Sequence, residues 1–151
     1  MVAVDTGRFT AGVFQDLAWA ERGIEALKKQ GLVVESLSIL GKATPDVSAF
    51  IERQLGAPQD IQVRELGATM ARGPIVAALQ GSDQGLTRLG ISGTMRRVGF
   101  QAHDGRIFEV LVGRGGILVA IHSEPRAADA LAVLHSYGGG NAAIGAWTGR
   151  V

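Results

Sequence analysis

Apolar and polar positions along this chain form two matching stretches, residues 12–39 and 119–146, separated by a longer middle segment. In the first stretch Leu17, Ala20, Ile24 and Leu27 recur at helical spacing, and Glu21, Arg22, Glu25, Lys28 and Lys29 take the opposite face. This pattern predicts an amphipathic helix, capped by Asp16 and closed by Gly31. A dense apolar run, 9–14, precedes it, and 33–40 follows with strand-like alternation. In that alternation Ser36 and Ser38 point one way and Leu37 and Ile39 the other, as in a half-exposed edge strand. A shift of 107 positions, without a gap, carries Ala20 onto Ala127, Ile24 onto Leu131, Leu27 onto Leu134 and Gly31 onto Gly138. The second copy therefore predicts a nearly all-apolar central strand at 117–121, a helix opened by Pro125 and a final strand at 142–147.

Two βαβ units of this kind are the halves of a ferredoxin-like domain. The expected fold is α+β: a βαββαβ sandwich of repeat units 9–42 and 116–149, with both repeat helices on one face of a single antiparallel sheet. The first and third main strands should be central and the second and fourth at the edges. Residues 43–115 should form a helical insertion within one domain spanning 1–151. There Thr44 and Pro45 open a helix to about residue 55, and 61–66 alternates as a short extra strand. Helical pieces are expected at 73–79 and 86–90, with a further helix capped by Asp104 and broken at 113–116. Residues 90–99 carry no clear pattern.

The motif Gly12-Val13-Phe14-x-Asp16, continued by Ala20-Glu21-Arg22-x-Ile24-x-x-Leu27-x-x-x-Gly31 and Leu37-Ser38-Ile39-Leu40, resembles the bacterial general stress protein domain of the heat-induced 17M type. Arg114-Gly115-Gly116-Ile117-Leu118-Val119-Ala120-Ile121-His122 is similar to the second half of that domain. The resemblance covers about half the chain. It implies a stress association, with no agreed catalytic residues to carry over. Many relatives hold a Gly/Ala-rich, membrane-inserted hairpin between the halves. Residues 67–90 look like its remnant, interrupted here by Arg72, Asp83 and Arg88, which removes the membrane role.

Composition narrows the chemistry. A chain of 151 residues with net charge +1 is long enough to bury a core and too balanced to imply nucleic acid. The absence of cysteine rules out disulfides and thiolate sites. Residues 1–8 lack the pattern of a signal peptide, and no apolar run approaches the roughly 20 residues that cross a bilayer. A cytoplasmic protein is the expectation.

The candidate chemistry is sparse. Arg88, Arg96, Arg97, Arg106 and Arg114 are opposed locally only by Asp104 and Glu109. Backbone N–H groups of the 113–116 turn suit an anion. The candidate anion site is therefore Arg96, Arg97, Arg106, Arg114, Gly115 and Gly116, although this glycine run precedes a strand and lacks the Walker Lys-Ser/Thr. His103, Asp104 and His122 are weak metal candidates, without i,i+4 or His-x-His spacing. No Gly-x-Ser-x-Gly elbow occurs, and neighbours such as His122 and Ser123 on a strand face opposite sides. Trp19, Tyr137 and Trp147 fall outside the core periodicity and are the interface candidates.

The expected function is thus a non-catalytic, stress-associated binding module that self-associates into a homo-oligomer or docks to a protein partner. No cofactor, membrane or nucleic acid is implied. The alternative is a sensing domain for a small anionic metabolite or nucleotide. A metal-dependent or hydrolytic enzyme comes third.

Overall fold

The computed structural model describes residues 9–122, 132–133 and 142–145. The apolar run Phe9–Phe14 forms strand β1, buried at every position. Asp16 ends the extended backbone and accepts the N–H of Trp19 on its Oδ1 at 2.9 Å, which starts helix α1, Leu17–Lys29. Its buried residues are Ala20, Gly23, Ile24 and Leu27, while Leu17 of the predicted stripe is only partly buried and packs against the same core. Three further elements follow: strand β2 (Leu37–Lys42), then helix α2 (Pro45–Gln54), then strand β3 (Gln59–Val63). Helix α2 starts as expected, with Thr44 Oγ1 accepting from Val47 N at 3.1 Å and Pro45 inside the first turn. Strand β4 is Gly67–Arg72, and helices α3 (Pro74–Gln80), α4 (Gly85–Thr94) and α5 (Ala102–Gly113) follow it. Strands β5 (Ile117–His122) and β6 (Ala142–Gly145) complete the described elements.

The six strands make one sheet in the order β3-β4-β2-β5-β1-β6, and all five neighbouring pairs are antiparallel. The fold is therefore mixed α+β, built on a multi-stranded antiparallel sheet. Side-chain alternation sends β1, β2 and β5 to two cores. On one face Phe14, Ile39, Val119 and Ile121 meet Ala20, Ile24 and Leu27 of α1, Phe50 and Ile51 of α2, and Val133. On the other, Val13, Leu40, Leu118 and Ala120 meet Ile75 and Leu79 of α3, Leu86 and Ile91 of α4, and Phe108 and Val112 of α5. Burial on both faces explains why β1 and β5 read as near-continuous apolar runs. Each fully buried Leu or Ile contributes about 1.5–3 kcal/mol in transfer terms.

Four expectations need correction. The insertion is not helical throughout, because β3 and β4 form a hairpin that extends the sheet. Strand β2 is therefore not an edge: β4 pairs with it from Ile39 to Lys42, and β5 lies on its other side. Its alternation came from a buried serine, Ser38 at 1% exposure, rather than from a solvent face. Residues 33–36 are also not strand, since Val34–Ser36 is a 3-10 turn. Finally, α5 begins two residues before Asp104, with Gln101 in the capping position, so Asp104 sits in its first turn.

Residues 90–99 resolve into the end of α4 and a 3-10 turn, Met95–Val98. Gly90 breaks α4 with φ 79°, and Glu109 Oε2 from α5 accepts the N–H of Ser92 at 3.3 Å beyond the break. Among the described residues no helix is long and apolar enough to cross a membrane.

Candidate functional site

Arg88, Arg96, Arg97, Arg106 and Arg114 spread over α4, the 3-10 turn and α5 with its C-cap. Arg97, on the 3-10 turn, donates Nη1 and Nη2 to Asp83 Oδ1 and Oδ2 at 2.9 and 2.7 Å, and Nη1 also to the carbonyl of Leu79 at 3.1 Å. Arg88 joins the same carboxylate at 3.6 Å. The hydrogen bond from Arg97 holds the Asp83 carboxyl below its ordinary range and raises Arg97 in turn. Gly85 leaves the guanidinium its place, since a Cβ there would stand 2.9 Å from Arg97 Cζ. This fork clamps the α3–α4 loop to the 3-10 turn, so Arg97 is committed within the fold.

Arg96, Arg106 and Arg114 are exposed. Arg106 and Arg114 are separated by about 12 Å of helix rise, so they do not converge. The N–H groups of Arg114, Gly115 and Gly116 donate to the carbonyls of Val110, Leu111 and Val112 at 2.9–3.2 Å. They close the C-terminal end of α5, the negative end of its dipole.

His103 is exposed at the start of α5, next to part-buried Asp104. His122 ends β5 directly opposite Phe9, and the two rings stack with centroids 4.6 Å apart. Among the described residues no three His, Asp or Glu side chains gather where one metal ion would sit. Trp19 lies at the margin of the α1 core, half-buried, with the Arg22 guanidinium 5.0 Å from its ring centroid. Tyr137 and Trp147 lie outside the described residues.

A feature that sequence reasoning missed opens where β2 begins and β4 ends. It is an open cleft of about 390 Å³, lined by Val34, Glu35, Leu37, Leu55, Arg72, Gly73 and Pro74. Three local arrangements build it. Ser36 donates its N–H and its hydroxyl to the carbonyl of Val33, which holds the 3-10 turn and leaves Val33 60% and Val34 41% exposed. Arg72 gives Nη1 to the carbonyl of Ala57 at 2.8 Å and lies over Gly56, whose φ of +117° and missing side chain make the room. Ser38 Oγ accepts the N–H of Ile75 at 3.0 Å and seats the start of α3, placing Gly73 and Pro74 at the wall. Glu35 and Arg72 line the cleft without forming an ion pair with each other, and among the described residues Arg72 meets no carboxylate. The signal in the sequence was the run Leu32-Val33-Val34 directly after the helix-closing Gly31, apolar where a polar connection is usual.

Comparison of the chain with protein-family models, with curated proteins and with solved structures finds no match in any of the three.

Proposed function

We propose that this chain works by binding rather than by covalent chemistry, as a stress-associated module on a ferredoxin-like, internally duplicated core. The strand order β2-β5-β1-β6 supports the ferredoxin-like reading, with the first and third main strands inside. So does α1, which joins β1 to β2 while β5 lies between them. The ungapped shift between residues 12–39 and 119–146 supports the duplication, and the motifs at 12–40 and 114–122 support the stress-protein kinship.

The observation that carries the binding reading is exposed Val34 in the lining of the open cleft, with exposed Val33 next to it in the chain. Adjacent apolar side chains kept in water beside a concavity are what a recognition surface offers. Self-association or docking of a protein partner through this surface is the first reading. Light scattering at micromolar concentration tests it: a dimer that V33S/V34S dissolves supports it, and a strict monomer near 15.8 kDa rejects self-association. The second reading, small-ligand sensing, is favoured by the cleft itself and by its uncommitted charges.

A further inference from the structure

We propose that the cleft at the start of β2 binds a small zwitterion of the aliphatic α-amino-acid kind, an inference that rests on the small-ligand reading. The volume of about 390 Å³ lies near the lower end for ligand sites, which calls for a small molecule. The wall supplied by Val34, Leu55 and Pro74 is apolar and takes a short hydrocarbon.

The two charges then select the polar end. A ligand carrying only an anion would gain Arg72 and meet Glu35, and one carrying only a cation would do the reverse. A molecule with both, a few bonds apart and next to an aliphatic side chain, satisfies each charge and the wall together. Arg72 is already oriented by its bond to the Ala57 carbonyl, so its remaining N–H groups present themselves to a carboxylate with little ordering cost. Glu35 is held on the turn that Ser36 closes and accepts the ammonium group. An open cleft leaves both charges partly hydrated, so the expected Kd is about millimolar.

The test is an amide-resonance titration of the full chain with L-leucine to about 10 mM, ten times that Kd. The expected result is saturable shifts at Val34, Glu35, Leu37, Leu55, Arg72 and Gly73. N-acetyl-leucine, without the ammonium, and leucinamide, without the carboxylate, should each bind about tenfold more weakly. Glu35→Gln should abolish the preference for leucine over N-acetyl-leucine, and Arg72→Gln the preference over leucinamide. Both side chains are exposed, and unchanged spectra away from the cleft verify folding. Equal binding of leucine and the two blocked forms overturns the zwitterion assignment while leaving the cleft a ligand site. Absence of shifts at the cleft with all three ligands overturns the proposal, and absence of shifts there with inorganic phosphate and ATP as well overturns the small-ligand reading.

Discussion

The ring of Phe14 fills the space that a side chain at position 23 would need. A Cβ on Gly23 would stand 2.7 Å from Phe14 Cε1 and closer still to Cζ. Phe14 is fully buried beneath α1, so its ring has nowhere to retreat. A helical Gly→Ala change ordinarily gains up to about 1 kcal/mol. Here overpacking outweighs that gain, and Gly23→Ala should destabilise the protein by about 2 kcal/mol net. With Phe14→Leu in the background the same change should become neutral or stabilising. Urea midpoints of the four proteins in this cycle decide it, and a Gly23→Ala protein as stable as wild type would show that the helix rides higher on the sheet.

Ser38 supplies a cap that its target helix lacks. Gly73, in the capping position of α3, has no side chain, and Ser38 Oγ accepts the N–H of Ile75 across the sheet at 3.0 Å. Ser38→Ala would leave that N–H buried and unsatisfied, an expected loss of about 1–3 kcal/mol. Denaturation together with faster hydrogen exchange at Ile75 is the signature to measure.

Leu27 is 2% exposed in the core between α1 and the sheet. Leu27→Ala should cost about 2–4 kcal/mol through lost burial and the cavity left behind. A midpoint within about 0.5 kcal/mol of wild type would show that the stripe does not carry the packing.

The Asp83 carboxyl titrates below the ordinary carboxylate value because Arg97 hydrogen-bonds its charged form. A folded-state pKa lowered in this way gives stability that is present above the unfolded value, about 3.9, and lost as pH falls through the folded one. The clamp on the α3–α4 loop should therefore be intact at neutral pH and open only in acid. Carbon-13 titration of the Asp83 carboxyl should show the low value, and Arg97→Gln should return it upward. An Asp83 carboxyl that titrates at the ordinary value in wild type would contradict the fork.

Local features were legible because they depend on neighbours in the chain. Asp16 and Thr44 cap the helices that follow them, and Ala20, Ile24 and Leu27 face inward as their spacing required. Ile117 to Ile121 is buried throughout, as an uninterrupted apolar run demands of a strand covered on both faces. The cleft was less legible. Val34 was visible as a residue, but Arg72 and Pro74 join it around the cleft only because β4 ends beside the start of β2.

The sequence by itself determined where α1 and α2 start, which face of α1 is apolar and that β1 and β5 lie deep, since each follows from a pattern within about ten residues of chain. Tertiary structure alone decided that β2 is an inner strand, that Ser38 caps a helix 37 residues away, and that Arg97 is spent on Asp83. Alternation in a strand reports that its two faces differ, but a buried serine and a solvated one leave the same trace. Which environment Ser38 occupies depends on whether the β3–β4 hairpin adds to the sheet and α3 folds over it, a pairing set by closing a long loop rather than by any residue beside the serine.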